Sequence, residues 1–174
     1  MTRRSRAREV ALQLLFQHDL NPDLPRSAVE QFARDRLNDP ALREFALALY
    51  DGAIGHGAEV DRRLGECAEN WRLPRMPAVD RNVLRLGAFE LLHTADTPAS
   101  VAINEAIELA RRFGSADSPA FVNGVLDRLA RTRSAGPEMR NEAAPPPAIL
   151  PPSEPAPPPA PEGAPPPEGP GPPA

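Results

Sequence analysis

The chain has 174 residues, a length that suits one ordinary domain with or without an appendage, and 24 of them are proline. All 20 basic residues are arginine, set against 24 acidic ones, for a net charge of −4. The single cysteine, Cys67, excludes a disulfide framework and a thiolate metal cluster, and no apolar run approaches the length of a membrane span.

Both proline and charge are unevenly spread. Pro145 to Ala174 hold 16 of the 24 prolines, with Ile149 and Leu150 the only large apolar side chains. Such a stretch cannot offset its own ordering entropy, so 136–174 is predicted to be a disordered Pro/Ala/Glu-rich tail and 1–135 the folding unit. From Ser134 onward there are five Glu and one Arg, and the remaining 19 Arg and 19 acidic residues cancel. A neutral domain is not one that coats nucleic acid by charge alone. The Arg-rich start loosely imitates a transit peptide, but Gln13, Gln17, His18 and Asp19 break the secretory pattern, and a cytoplasmic, soluble protein is expected.

In chain order, the domain reads as helices separated by Pro and Asp/Ser signals. A first helix is predicted from about Arg4 to Asp19. Ser27 and Glu30 have capping-box spacing, which would open a second helix with Val29, Phe32, Ala33 and Leu37 on one face. Asp39 followed by Pro40 reads as an N-cap with proline at the first helical position. The third helix carries Leu42, Phe45, Ala46, Leu49 and Ala53, and either runs past Gly55 and Gly57 to about Asn70 or bends there. A loop at 73–77, a helix from Ala78 to His93, a turn at 94–98, a helix ending at Gly114 as its C′ residue, and a last helix from Pro119 to about Arg131 complete the domain. No segment alternates with period two, so strands are not expected. Six or seven helices with short loops make an all-α bundle.

On helical wheels a few residues do not fit a simple core stripe. The first helix is apolar on two sides, with Ala7, Val10, Ala11 and Leu14 on one and Leu12 and Phe16 opposite, leaving Glu9, Gln13 and Gln17 a narrow polar face. It is either central in its bundle or partnered on its second side. The helix 78–93 is apolar almost all round, yet Glu90 falls among Val79, Val83 and Leu86, where it requires a cationic partner such as a buried arginine. Glu108 and Arg112 are spaced for an i,i+4 pair on a solvated face. Phe121, after Asp117-Ser118, either packs at the core's edge or offers its ring to a base.

No P-loop, Gly-x-Gly-x-x-Gly, His-x-x-x-His or Ser/His arrangement is present, the three histidines stand apart in sequence, and neither catalysis nor a cofactor or metal is expected. Glu90 and His93 have the Glu-x-x-His spacing of di-iron bundles, but no second copy exists. What remains is the arm Arg3, Arg4, Arg6 and Arg8. Guanidinium groups contact phosphates bidentately and stack on bases, which suits single-stranded RNA. Four phosphate contacts would give a log–log salt slope of only about −3, so such a domain needs help to bind tightly.

The blocks RARE at 6–9, ALQLLF at 11–16, VLRLGAFEL at 83–91, VAINEAIELA at 101–110 and FVNGVL at 121–126 strongly resemble the NusB family of bacterial transcription antitermination factors, over about 1–132. The resemblance implies two small helical bundles packed together and a non-enzymatic role. It implies binding of boxA RNA jointly with NusE, a small-subunit ribosomal protein, within the RNA polymerase antitermination complex on ribosomal RNA operons. By similarity the RNA surface would include Arg3, Arg4, Arg6, Arg8, Arg85, Arg111, Asp117 and Phe121, and the NusE surface Phe16, Asp80 and Glu90. Ala120 stands where the family often has a basic residue. NusB-like domains also begin an RNA cytosine methyltransferase, but this chain ends in proline instead of a cofactor domain. The remaining alternative is a helical protein-interaction scaffold that binds no RNA.

Overall fold

The helix expected to be the most buried, 78–93, is the one that joins the two halves of the domain. The computed structural model describes residues 3–68 and 75–134. Within them lie α1 (Arg3–Leu20), α2 (Arg26–Arg36), α3 (Pro40–Gly55), α4 (Gly57–Cys67), α5 (Ala78–His93), α6 (Ala99–Phe113) and α7 (Ser118–Ser134), with no strand among the described residues. The expected tail at 136–174, the stretch from 69 to 70 and the loop positions 73 and 74 lie outside the described residues.

Helices α1–α3 form one small bundle and α4–α7 a second, and α5 packs against α1 and α3 of the first as well as α4, α6 and α7 of its own. Leu84, Leu86 and Leu91 of α5 are fully enclosed, each contributing about 2 kcal/mol by burial. Both apolar sides of α1 are covered: Ala7, Val10, Ala11 and Leu14 are fully buried, and Leu12 and Leu15 nearly so. Helix α1 is therefore central, and Phe16 is the member of its second side left at the surface.

The local signals succeed where chain geometry is self-contained. Asp39 caps α3, its Oδ1 accepting from the Ala41 amide at 3.0 Å with Pro40 behind it. The capping box at Ser27 does not form. Pro25 takes the N-cap position with no side-chain bond, its carbonyl accepting from Ala28 and Val29. That starts the helix at Arg26, places Ser27 inside the first turn, and leaves Glu30 to pair with Arg26 at 3.1 Å.

Helices α3 and α4 are separate, broken at His56, whose ring Nδ1 lies 3.0 Å from the Gly52 carbonyl oxygen at the end of α3. The break also brings together histidines that are far apart in sequence. His56 and His93 have ring centroids 4.0 Å apart, both beside Phe89, and His93 Nε2 lies 3.3 Å from Glu59. His93 thus turns away from Glu90. Gly114 ends α6 as expected, but at φ −94 its backbone is not left-handed. It is glycine for space, since a Cβ there would sit 2.5 Å from Ser118 Oγ.

Gly52 shows the same constraint more severely: an added Cβ would come within 2.6 Å of three Phe89 ring atoms, and that ring is held by the two histidines. Gly52→Val is expected to lower stability by about 1–3 kcal/mol through overpacking, read as a reduced urea midpoint at unchanged slope.

Candidate nucleic-acid interface

The start of α1 is fixed by a buried ion pair. Arg8 places Nη2 2.7 Å from Glu90 Oε1 and Nε 2.9 Å from Glu90 Oε2, with both residues almost wholly enclosed. This is the cationic partner that Glu90's position in α5 demanded. Arg8 also reaches Glu105 of α6 at 3.7 Å, and Ser5 donates to the same carboxylate at 2.8 Å. Two expected assignments are thereby corrected. Arg8 leaves the RNA-facing arm and Glu90 leaves the partner surface, because each side chain is committed to the other inside the protein.

The exposed part of the arm is Arg3, Arg4 and Arg6. Arg3 is 85% exposed and 3.6 Å from Asp39, and the Arg4 guanidinium lies 5.1 Å from the centre of the Phe45 ring. Arg6 bonds to Glu9, which the wheel placed on the narrow polar face of α1 and which is buried. The other oxygen of Glu9 is taken by Arg112 at 2.8 Å. Sequence spacing paired Arg112 with Glu108. Instead Arg111 takes Glu108, and Arg112 turns to Glu9, whose carboxylate is less screened by water. The contact carries the end of α6 to the start of α1. Arg111, the exposed Asp117 of the α6–α7 turn and the half-buried Phe121 therefore belong to the same end of the molecule as the arm.

Arg85 does not. It donates to both oxygens of Asp61, at 2.7 and 2.8 Å, and reaches Asp19 near the opposite end of α1 at 3.4 Å. Fifteen residues of helix separate Arg4 from Asp19, about 22 Å. Hydrogen bonding to Asp61 holds the Arg85 guanidinium above the usual arginine range. Its charge is already met there, and the structure does not bring it together with the arm.

That opposite end has a different character. Phe16, Leu20 and Ile54 are its exposed large apolar side chains, beside a cleft of about 290 Å³ lined by Leu15, His18, Asp19, Ile54 and Arg85 among others. Of the expected partner residues, Phe16 is exposed there, whereas Asp80 is buried in the first turn of α5, its Oδ1 accepting no hydrogen bond among the described residues. Asp80 is thus corrected to an interior position. Among the described residues no three His, Cys, Asp or Glu side chains converge as a metal site requires, and no helix is long and apolar enough to cross a membrane.

Fold and surface define the class: an all-α, two-bundle protein with arginines gathered at one end of a central helix and apolar side chains exposed at the other. The NusB family profile matches residues 5–131. A transcription antitermination protein NusB of Sorangium cellulosum (strain So ce56) is 46% identical over 130 residues, covering 75% of this chain and 93% of that one. Among solved structures, one of T. maritima NusB is 39% identical, with a TM-score of 0.66 over 75% of this chain and 92% of that one. A structure of antitermination factors NusB and NusE in complex with dsRNA matches at 26% identity and a TM-score of 0.68, covering 76% and 98%. The chain belongs to the NusB family.

Glu90→Ala, which leaves Arg8 buried and unpaired, is expected to cost about 3–5 kcal/mol in denaturant unfolding, and the joint replacement Arg8→Met with Glu90→Leu much less. Partial burial pushes the Asp19 carboxyl up, but hydrogen bonds from Arg81 and Asn82, with the charges of Arg81 and Arg85, outweigh it and hold the group below the usual carboxylate range. A lowered folded value contributes stability that is fully present above about pH 4 and lost as pH falls from there through the folded value. Asp19→Asn should therefore flatten the acid limb of the stability–pH curve.

Proposed function

We propose that this chain is a non-catalytic transcription antitermination factor of the cytoplasm, its working domain 1–135 and its appended tail 136–174. It binds boxA-type single-stranded RNA together with NusE and helps RNA polymerase read through terminators in ribosomal RNA operons. The observation that carries this reading is the gathering of exposed Arg3, Arg4, Arg6 and Arg111 with Asp117 and Phe121 at one end of an otherwise neutral, NusB-family domain. The solved assembly of NusB and NusE with dsRNA on the same fold supports the part of it that joins RNA and NusE. The apolar end around Phe16 is the surface assigned to the protein partner.

With Arg8 buried, three arm arginines remain, and their share of the salt slope is about −2. So small a share makes joint binding the expected mode. RNA affinity should rise when NusE is added and, by linkage, NusE affinity should rise by the same factor when RNA is added. Fluorescence anisotropy of a labelled boxA RNA over a salt series, single-stranded and annealed to its complement, with and without NusE, is the test. Arg3→Ala with Arg4→Ala should weaken binding and shallow the slope by about 1.4. Equal affinity with and without NusE would overturn joint binding, and no RNA binding in either condition would leave the scaffold reading in its place.

A further inference from the structure

The arm's carboxylates are divided in an unequal way. Toward the interior, one arginine serves two of them: Arg8 bonds to Glu90 and lies 3.7 Å from Glu105. Toward the surface, two arginines share one: Arg6 bonds to Glu9 Oε1 and Arg112 to Glu9 Oε2 at 2.8 Å. The outer pair of guanidiniums is turned to solvent. The Glu9 side chain is 4% exposed, whereas Arg6 and Arg112 are 42% and 48% exposed.

One guanidinium would suffice to satisfy a buried carboxylate between α1 and α6. A second one on the same group sets two like charges side by side, and an anion between the two relieves their repulsion. Each arginine is held at one end by a charge-assisted bond, which removes in advance much of the rotamer freedom that anion binding would otherwise cost. The first turn of α7, Ser118, Pro119 and Ala120, offers no basic side chain, so Arg111 and Arg112 are the cations that α6 brings to its turn.

We infer that Arg6 and Arg112, seated on the two oxygens of buried Glu9, form a two-guanidinium clamp for one backbone phosphate of the RNA, with Glu9 as its positioning residue. The inference rests on the RNA-binding reading above and extends it to two residues, Glu9 and Arg112, outside the expected set.

The test uses the full chain and a fluorescein-labelled single-stranded boxA RNA in anisotropy titrations over a salt series, with thermal unfolding of every variant. Arg112→Ala should weaken binding about tenfold and shallow the log–log slope by about 0.7, at unchanged Tm. Glu9→Gln separates positioning from charge. Removing a negative charge beside the RNA would tighten binding through the field alone, whereas loss of the clamp weakens it several-fold and shallows the slope. Arg62→Ala, on the exposed face of α4, should change neither. Wild-type affinity and slope in Arg112→Ala, or tighter binding by folded Glu9→Gln, would overturn the clamp while the functional reading stands. Failure of the wild type itself to bind the RNA would overturn that reading and the clamp with it. Should Glu9→Gln not fold, Arg112→Ala alone decides.

Discussion

The buried bond between Arg8 and Glu90 is the constraint from which the rest of the arrangement proceeds. Taking both charges out of water costs several kcal/mol per ion, and only the bidentate geometry and the neighbouring Ser5 and Glu105 contacts offset it. An apolar pair could hold α1 against α5 equally well. What the ion pair adds is direction, since a guanidinium fork donates to its carboxylate in few orientations. It fixes the rotation of α1 about its axis, and with it which arginines of the first two turns face inward and which face solvent.

That rotation matters because the start of α1 goes against local preference. A helix N-terminus carries partial positive charge, yet α1 opens with arginines and has no acidic residue in its first turn. Such a placement is unfavourable by tenths of a kcal/mol per charge. It makes sense where an anion arrives from outside, because the helix dipole and the guanidiniums then act on it together. The 18 residues of α1 extend about 27 Å, which keeps this cationic end apart from the apolar one at Phe16, Leu20 and Ile54. Two ligands of opposite character can thus occupy one helix without competing for surface.

How much of this was legible from residues alone follows the range of the interactions. The α5 wheel, apolar nearly all round, identified the central helix, and Glu90 within it announced a buried cation. Asp39-Pro40 announced its cap. These depend on residues within a few turns of each other. Which of many arginines answered Glu90 did not follow, because Arg8 is 82 residues away and nothing local distinguishes it from Arg6. The same distance hid the Arg112–Glu9 contact, where a nearer and equally plausible partner, Glu108, was on hand. The histidines looked isolated for the same reason, since His56 and His93 meet only once α3 breaks from α4. At Ser27 the failure was one of register: proline two residues earlier took the cap position, a contest between two valid local signals that spacing does not resolve.

The neutrality of the domain acquires a structural meaning from these pairings. Arg3 has Asp39 near it, Arg6 and Arg112 share Glu9, and Arg111 has Glu108. Strands of RNA must compete with these carboxylates for the guanidiniums, and a phosphate that succeeds displaces an internal partner or accepts only the hydrogens left over. Exposed pairs such as Arg111–Glu108 yield readily, being worth well under a kcal/mol in salt. The buried Glu9 does not, so the arginines on it stay oriented while they bind. Pre-paired arginines of this kind favour geometry over strength: they discriminate how a backbone approaches, and being few they release few counterions in all. A protein built this way gains affinity by extending its surface through a second protein, not by accumulating further charge of its own.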